Sequence, residues 1–176
     1  MSELKKAKVV VKNYDVQNVA EIDALYTRVR VEDEQGRTFY YKQVVVPKYL
    51  RRHGALVTDS PRTWYYKHSS RKSIIIVAVE KSGGKVEYDF DDLRIIARST
   101  LLKGILMSVA AIPMGVIAAT ATFGLGLILI PMAFWYSYRN IFKLPGLLSR
   151  KKLVGEFAAY GVTVNRPWFR RHLQAS

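Results

Sequence analysis

The side chains able to do bond chemistry are few and scattered. His53, His68 and His172 are the only histidines, and none stands in an H-x-x-x-H spacing that would set two imidazoles on one helix face. No Ser/His/Asp arrangement suggests a nucleophile, and the absence of cysteine removes thiolate nucleophiles, thiolate metal ligands and disulfides. Asp89, Asp91 and Asp92 gather at a strand-to-helix junction, but a hard cation needs more oxygen ligands than this stretch supplies. Capping by Asp91 or Asp92, which would accept from the free N–H groups of a following helix, is the expected role. Gly83-Gly84 is a turn without the spacing of a phosphate loop. The expectation is a non-enzymatic protein without metal or cofactor.

Binding chemistry is better represented. Two aromatic triples, Phe39-Tyr40-Tyr41 and Trp64-Tyr65-Tyr66, stand beside the basic residues Arg37, Lys42, Arg62 and Lys67. Aromatic side chains on strands can stack bases at about 1 to 3 kcal/mol each, which makes Tyr40, Lys42, Tyr65 and Lys67 a candidate binding surface. The plainer expectation is that alternate members fill a barrel and the others stiffen cross-strand pairs.

Strands are needed to position these residues. Val9, Val10 and Val11 centre a first strand over residues 7 to 13. From 25 to 32, Leu25, Thr27, Val29 and Val31 alternate with Tyr26, Arg28, Arg30 and Glu32, the period of a half-buried strand with a basic wet face. The turn at 33 to 36 leads into a partner strand from Arg37 to Val46. Pro47 suits the first position of a short helix that Gly54 ends. Strands follow over Trp64 to His68, Ser73 to Glu80 and Lys85 to Phe90, the last with Val86, Tyr88 and Phe90 inward against Glu87 and Asp89. Three strands, a short helix, then two or three strands is the element order of an OB-fold, and equally of another small antiparallel barrel.

The rest of the chain is organised by Gly104 to Tyr138, 35 residues without a charge. A straight helix of that length would measure about 52 Å against a hydrocarbon core of about 30 Å. Two helices joined near 119 to 124 fit better. Lys103 precedes the stretch, and Arg139, Lys143, Arg150, Lys151 and Lys152 follow it, with Trp135, Tyr136 and Tyr138 as the aromatic belt of an interface. Basic flanks on both sides predict an inner or plasma membrane protein, multi-pass, with both termini cytoplasmic. Ala111, Gly115 and Ala119, with Gly124 and Gly126 beyond the turn, permit close helix packing within the hairpin or between protomers. Pro113 and Pro131 place one expected kink in each helix.

The formal net charge is +14, and residues 101 to 176 hold nine Lys and Arg against one acidic residue. Such a surface attracts anionic headgroups, at about 1 kcal/mol per basic side chain, and would also attract nucleic acid. The three-residue apolar run near the N-terminus is too short for a signal peptide, so the hairpin is expected to direct insertion. No flexible linker separates the β-domain from the first membrane helix, which predicts a rigid attachment. Beyond Lys143-Leu144-Pro145-Gly146, expected to break the helix, Leu147, Leu148, Val154, Phe157 and Ala158 suit an amphipathic helix that lies on the membrane or packs under the β-domain. Arg166, Trp168, Phe169, Arg170 and Arg171 form a basic-aromatic tail.

The expected architecture is thus an α+β membrane protein. Residues 1–92 form a small antiparallel, barrel-like and OB-like β-domain. Residues 93–142 form a two-helix transmembrane hairpin, with spans at about 101–119 and 123–142, and 143–176 an amphipathic helix and tail. The expected role is a scaffold or assembly subunit, either homo-oligomeric or joined to other membrane subunits. The alternatives are a pore lined by the kinked hairpins and a membrane-tethered nucleic-acid binder.

Overall fold

The computed structural model describes residues 3–81 and 83–164. Six strands form one sheet: β1 (Lys5–Val19), β2 (Asp23–Asp33), β3 (Thr38–Pro47), β4 (Pro61–Ser70), β5 (Ser73–Glu80) and β6 (Val86–Tyr88). Parallel pairing of Gln43 to Val45 in β3 with Ser73 to Ile75 in β5 closes the first five into a ring in the order β1-β2-β3-β5-β4. All other pairings between these strands are antiparallel, and β6 lies outside the ring against Ala78 to Glu80. Closure leaves the ring without an open edge.

β1 and β2 depart most from the sequence expectation, for identifiable reasons. β1 runs to Val19 rather than stopping near Asn13, and register shifts between Val11 and Asn13, Asn13 and Asp15, and Val16 and Asn18 let it coil around the barrel. Its second half is largely exposed, so no apolar alternation announces it. In β2 the buried set is Ala24, Tyr26, Val29 and Val31, not Leu25 and Thr27 with the valines. The phase reverses at Arg28, whose φ of 52° is left-handed. Only glycine, asparagine or aspartate would have hinted at that conformation.

Helix α1 (Lys48–Arg52) follows Pro47, which occupies the N-cap rather than the first turn, and Gly54 turns the chain away with φ of 73°. The barrel interior is filled by Val11, Val29, Val31, Val44, Val46, Ile74, Ile76 and Trp64. Trp64 donates its indole N–H to the Ala55 carbonyl at 2.9 Å, so the ring plugs the barrel without an unpaired donor.

A second core covers the outside of the barrel. Tyr65, Ile75, Val77 and Ala78 lie under Leu93 and Ile96 of α2 (Phe90–Ala121) and under Leu153 and Phe157 of α5 (Arg150–Ala159). β5 is therefore buried on both faces, which accounts for the unbroken apolar run IIIVAV. A boundary at residue 92 divides this core. Helix α5 belongs to the β-domain's packing, and of the two sequence alternatives it takes the one against the barrel. Its buried side chains are Leu153 and Phe157, while Ala158 is exposed.

Helix α2 runs unbroken for 32 residues, through Pro113. Its N-cap is Asp89, which accepts from the N–H groups of Asp91 and Asp92 at 2.7 and 3.3 Å, and not Asp91 or Asp92 as expected. Phe90 is already helical, so β6 ends at Tyr88. Among the described residues one helix, Phe90–Thr120, is long and apolar enough to cross a membrane, and they leave most of its apolar window exposed.

The chain reverses at Thr122 to Gly124 and packs back along α2 in pieces: a 3-10 turn (Leu125–Ile128), α3 (Leu129–Tyr138), a π turn (Arg139–Lys143) and α4 (Leu144–Leu147). The sequence anticipated one helix over 123–142. Pro131 accounts for one break, since its ring crowds the carbonyl four residues back and it donates no N–H. It sits in the first turn of α3 rather than at a mid-helix kink. Pro145 and Gly146 do not break the helix as expected either, because Pro145 falls in the tolerant first turn of α4. The tail residues Arg166, Trp168, Phe169, Arg170, Arg171 and His172 lie outside the described residues.

Candidate functional site

A groove of about 740 Å³ opens on the barrel wall between β1, β2, β3 and the β4–β5 turn. β1 contributes Lys12, Asn13 and Asp15, β2 Arg28 and Arg30, β3 Tyr40, Tyr41 and Lys42, and the turn Lys72. The Lys42 N–H donates to the Lys72 carbonyl at 2.8 Å, which fixes the turn against β3 and sets two ammonium groups on one rim. The Arg30 guanidinium lies over the Tyr40 ring, 5.9 Å from its centroid, and Tyr40 is 64% exposed. An exposed ring with a cation on its face is a stacking platform for a planar anionic or aromatic group.

Opposite charges are not all spent internally. Arg28 pairs with Asp15, and Lys12 lies 3.4 Å from Glu32 and 3.5 Å from Asp59. Among the described residues Arg30, Lys42 and Lys72 form no ion pair, so the groove keeps a positive surplus. At its floor, Tyr41 meets Tyr66 edge-on at 6.3 Å. Burial, then the hydrogen bond with Tyr66, pushes the Tyr41 phenol well above its ordinary range, so it faces the groove as a neutral group.

The structure separates the four candidate surface residues. Tyr40 and Lys42 line the groove, whereas Tyr65 is 1% exposed and Lys67 is completely enclosed. Tyr65 meets Phe157 and Tyr160 of the C-terminal segment and donates its hydroxyl to Glu80 at 3.0 Å. The Lys67 ammonium donates to the Leu147 carbonyl at 3.0 Å and pairs with Glu156. Segments far along the chain cover this face, and β4's local pattern carries no sign of them. Sequence reading also passed over Lys12, Arg28, Arg30 and Lys72 as partners of Tyr40. The wet alternation of Arg28 and Arg30 was the available signal.

A second cluster links α1 to the base of α2. Tyr49 donates its hydroxyl to Glu87 at 2.7 Å and its N–H to Asp92 at 2.8 Å, while its ring stacks on His53 at 4.0 Å. The bond to Glu87 raises the Tyr49 phenol to about 12, and the same bond, with Lys85 at 3.0 Å, holds the Glu87 carboxyl below its ordinary range. Burial, and then Lys5, lowers the His68 imidazole. Two of the three junction carboxylates are thus occupied by N–H groups, Asp89 by those of α2 and Asp92 by that of Tyr49 in α1.

Gly115 and Gly126 lie at close approaches within the chain. A side chain on Gly126 would run into the backbone of Ala118 and Ala119, and one on Gly115 into the Ile130 side chain. Ala111 is buried, Ala119 is half-buried, and Gly124 turns the chain with φ of 94°. Lys103, Trp135, Tyr136, Tyr138, Lys143, Arg150 and Lys151 are exposed, and Lys152 is half-buried. Of Arg139 the backbone alone is described, in the π turn.

No protein-family model, curated protein or solved structure matches the chain. The functional reading therefore rests on its own geometry.

Proposed function

We propose that this chain is a non-enzymatic membrane protein that holds an OB-like barrel rigidly at the bilayer surface and uses it as an assembly subunit of a larger complex. The observation that carries this reading is helix α2. Its first two turns are locked into the second core by Leu93 and Ile96, and the same helix then continues into side chains such as Leu102, Leu106, Val109 and Ile117 that the described residues leave largely exposed. Water would oppose such a surface at about 25 cal/mol per Å², and a bilayer would not.

Pairing of α2 with the returning segment supports a hairpin that keeps both termini on the cytoplasmic side, in an inner or plasma membrane. The ring order β1-β2-β3-β5-β4, with α1 between β3 and β4, supports the OB-like reading. The groove at Tyr40 is then the surface offered to the partner, and its surplus of positive charge selects an acidic segment of another subunit.

Native mass spectrometry of the full-length protein in mild detergent tests the assembly reading. A defined oligomer or a stoichiometric companion is expected, and a lone monomer that brings nothing from its own membrane would overturn it. Topology is read separately. The chain has no native cysteine, so Phe123→Cys at the fully exposed turn and Val19→Cys on the barrel report sidedness to a membrane-impermeant maleimide. Labelling of both positions from one side of sealed membranes would remove the hairpin.

Tyr40 under Arg30 favours a second reading, in which the barrel binds single-stranded nucleic acid. Full-length protein in zwitterionic nanodiscs should then bind an oligonucleotide with steep salt dependence and lose affinity on Tyr40→Ala. Salt-sensitive binding that Tyr40→Ala leaves untouched would reduce this to charge attraction.

A further inference from the structure

A second cavity, of about 520 Å³, sits where α2 meets the start of α5. Arg94 and Arg98 reach it from successive turns of α2, and Arg150, the first residue of α5, faces them. All three side chains are exposed, and among the described residues none forms an ion pair. The Arg150 guanidinium lies 5.7 Å from the Phe90 ring centroid, which holds it over the cavity's lower wall. Asp91 is the one acidic residue of the lining, so the cavity keeps an excess of two positive charges. Ser149 caps α5, yet its hydroxyl bonds none of the helix's free N–H groups. The remaining wall is apolar, made by Ala97, Leu101 and Leu148.

Its level along α2 is informative. Arg98 and Arg94 stand six and ten residues before Gly104, where the charge-free stretch begins. At 1.5 Å per residue that is about 9 and 15 Å along the axis. The headgroup layer occupies roughly the first 5 to 8 Å outside the hydrocarbon, within reach of an arginine side chain. An apolar wall continuing into exposed Leu102 and Leu106 leads from the cations toward the acyl region.

We propose that this cavity is a binding site for one anionic glycerophospholipid. Its phosphate is held by Arg94, Arg98 and Arg150, and its acyl chains lie along the apolar face of α2. Two planar guanidinium forks from one helix and one from another suit phosphate oxygens better than a single ammonium does. The proposal rests on the membrane reading above and gives it chemical selectivity. It also gives the β-domain a fixed tilt, since the ligand bridges α2 and α5.

The test is native mass spectrometry of the full-length protein titrated with phosphatidylglycerol or phosphatidylcholine. Thermal shifts with inorganic phosphate form a parallel arm. Wild type should retain one phosphatidylglycerol in preference to phosphatidylcholine. Arg94→Ala/Arg98→Ala should lose about thirtyfold in that retention, at about 1 kcal/mol per basic side chain, while Lys5→Ala/Arg71→Ala, an equal charge loss elsewhere, should not. Equal losses in the two double variants, or equal retention of the two lipids, would overturn the site. Stabilisation by inorganic phosphate matching that by phosphatidylglycerol would replace the lipid with a soluble phosphate ligand. Failure of the membrane reading shows differently, as release of the wild-type protein from membranes by alkaline carbonate.

Discussion

Lys67 and Glu156 form an ion pair 2.5 Å long between β4 and α5, and the lysine side chain is wholly enclosed. The Leu147 carbonyl gives the same ammonium a well-aligned acceptor at 3.0 Å, while Glu156 Oε2 lies off any donor axis. The contact is Coulombic, and it fastens the chain leaving the apolar segment to the barrel it started from. Removing one member leaves a buried charge alone, which costs about 3 kcal/mol. Glu156→Gln should therefore lower the thermal midpoint in detergent by several degrees. Lys67→Met/Glu156→Leu, which removes both charges and fills the space, should recover most of that loss. A double variant as unstable as Glu156→Gln would show that shape, rather than charge, governs this contact.

That pair also shows where reading from sequence stops. Trp64, Tyr65, Tyr66 and Lys67 are all buried, because Trp64 and Tyr66 fill the ring while Tyr65 and Lys67 are roofed by α5. A pattern of period two assigns one dry face to a strand and cannot see a roof that arrives some ninety residues later. β3, β5 and the unbroken start of α2 were legible since their signals are local: alternation, an apolar run, and a helix with no glycine or proline linker. Of the groove, Tyr40 and Lys42 were legible. Arg28 and Arg30 showed only as a basic wet face, and Lys72 joins the groove through a turn whose place beside β3 alternation does not mark.

Tyr49 and Glu87 give stability a dependence on pH at both ends. The folded Tyr49 phenol titrates at about 12, above its unfolded value, so its contribution is complete below the unfolded value near 10 and fades as pH rises toward 12. Glu87 is held below its ordinary range, so its contribution is present above the unfolded carboxyl value and lost as pH falls through the folded one. Tyr49→Phe should flatten the alkaline limb between pH 10 and 12 and shift the acid limb upward. Parallel curves for the two proteins from pH 3 to 12 would show that the bond carries no such linkage.

Arg28 trades backbone ease for placement of charge. Its left-handed φ of 52° costs an L-residue with a side chain roughly 1 kcal/mol that glycine does not incur. Arg28→Gly should thus be more stable than Arg28→Ala by about that amount in thermal unfolding, even though both lose the pair with Asp15. Binding of an acidic peptide or oligonucleotide to the groove should fall equally in both, because both remove the same cation. An alanine variant as stable as the glycine one would mean that the strand relaxes around residue 28.

Gly126 and Gly115 separate two grades of close packing. At Gly126 the obstacle to a side chain is the backbone of Ala118 and Ala119, which cannot move without shifting α2 itself. At Gly115 it is the Ile130 side chain, which can turn to another rotamer. Overpacking of this kind costs about 1 to 3 kcal/mol, with the upper end expected where backbone must yield. Gly126→Ala should therefore separate α2 from the returning segment more than Gly115→Ala does. Spin labels on introduced cysteines at Val116 and Leu129, both exposed, would report the distance in nanodiscs. A broadened, longer distribution in Gly126→Ala with a near-native one in Gly115→Ala is the expected result. The opposite order would place the close approach elsewhere and leave these glycines free for contacts between protomers.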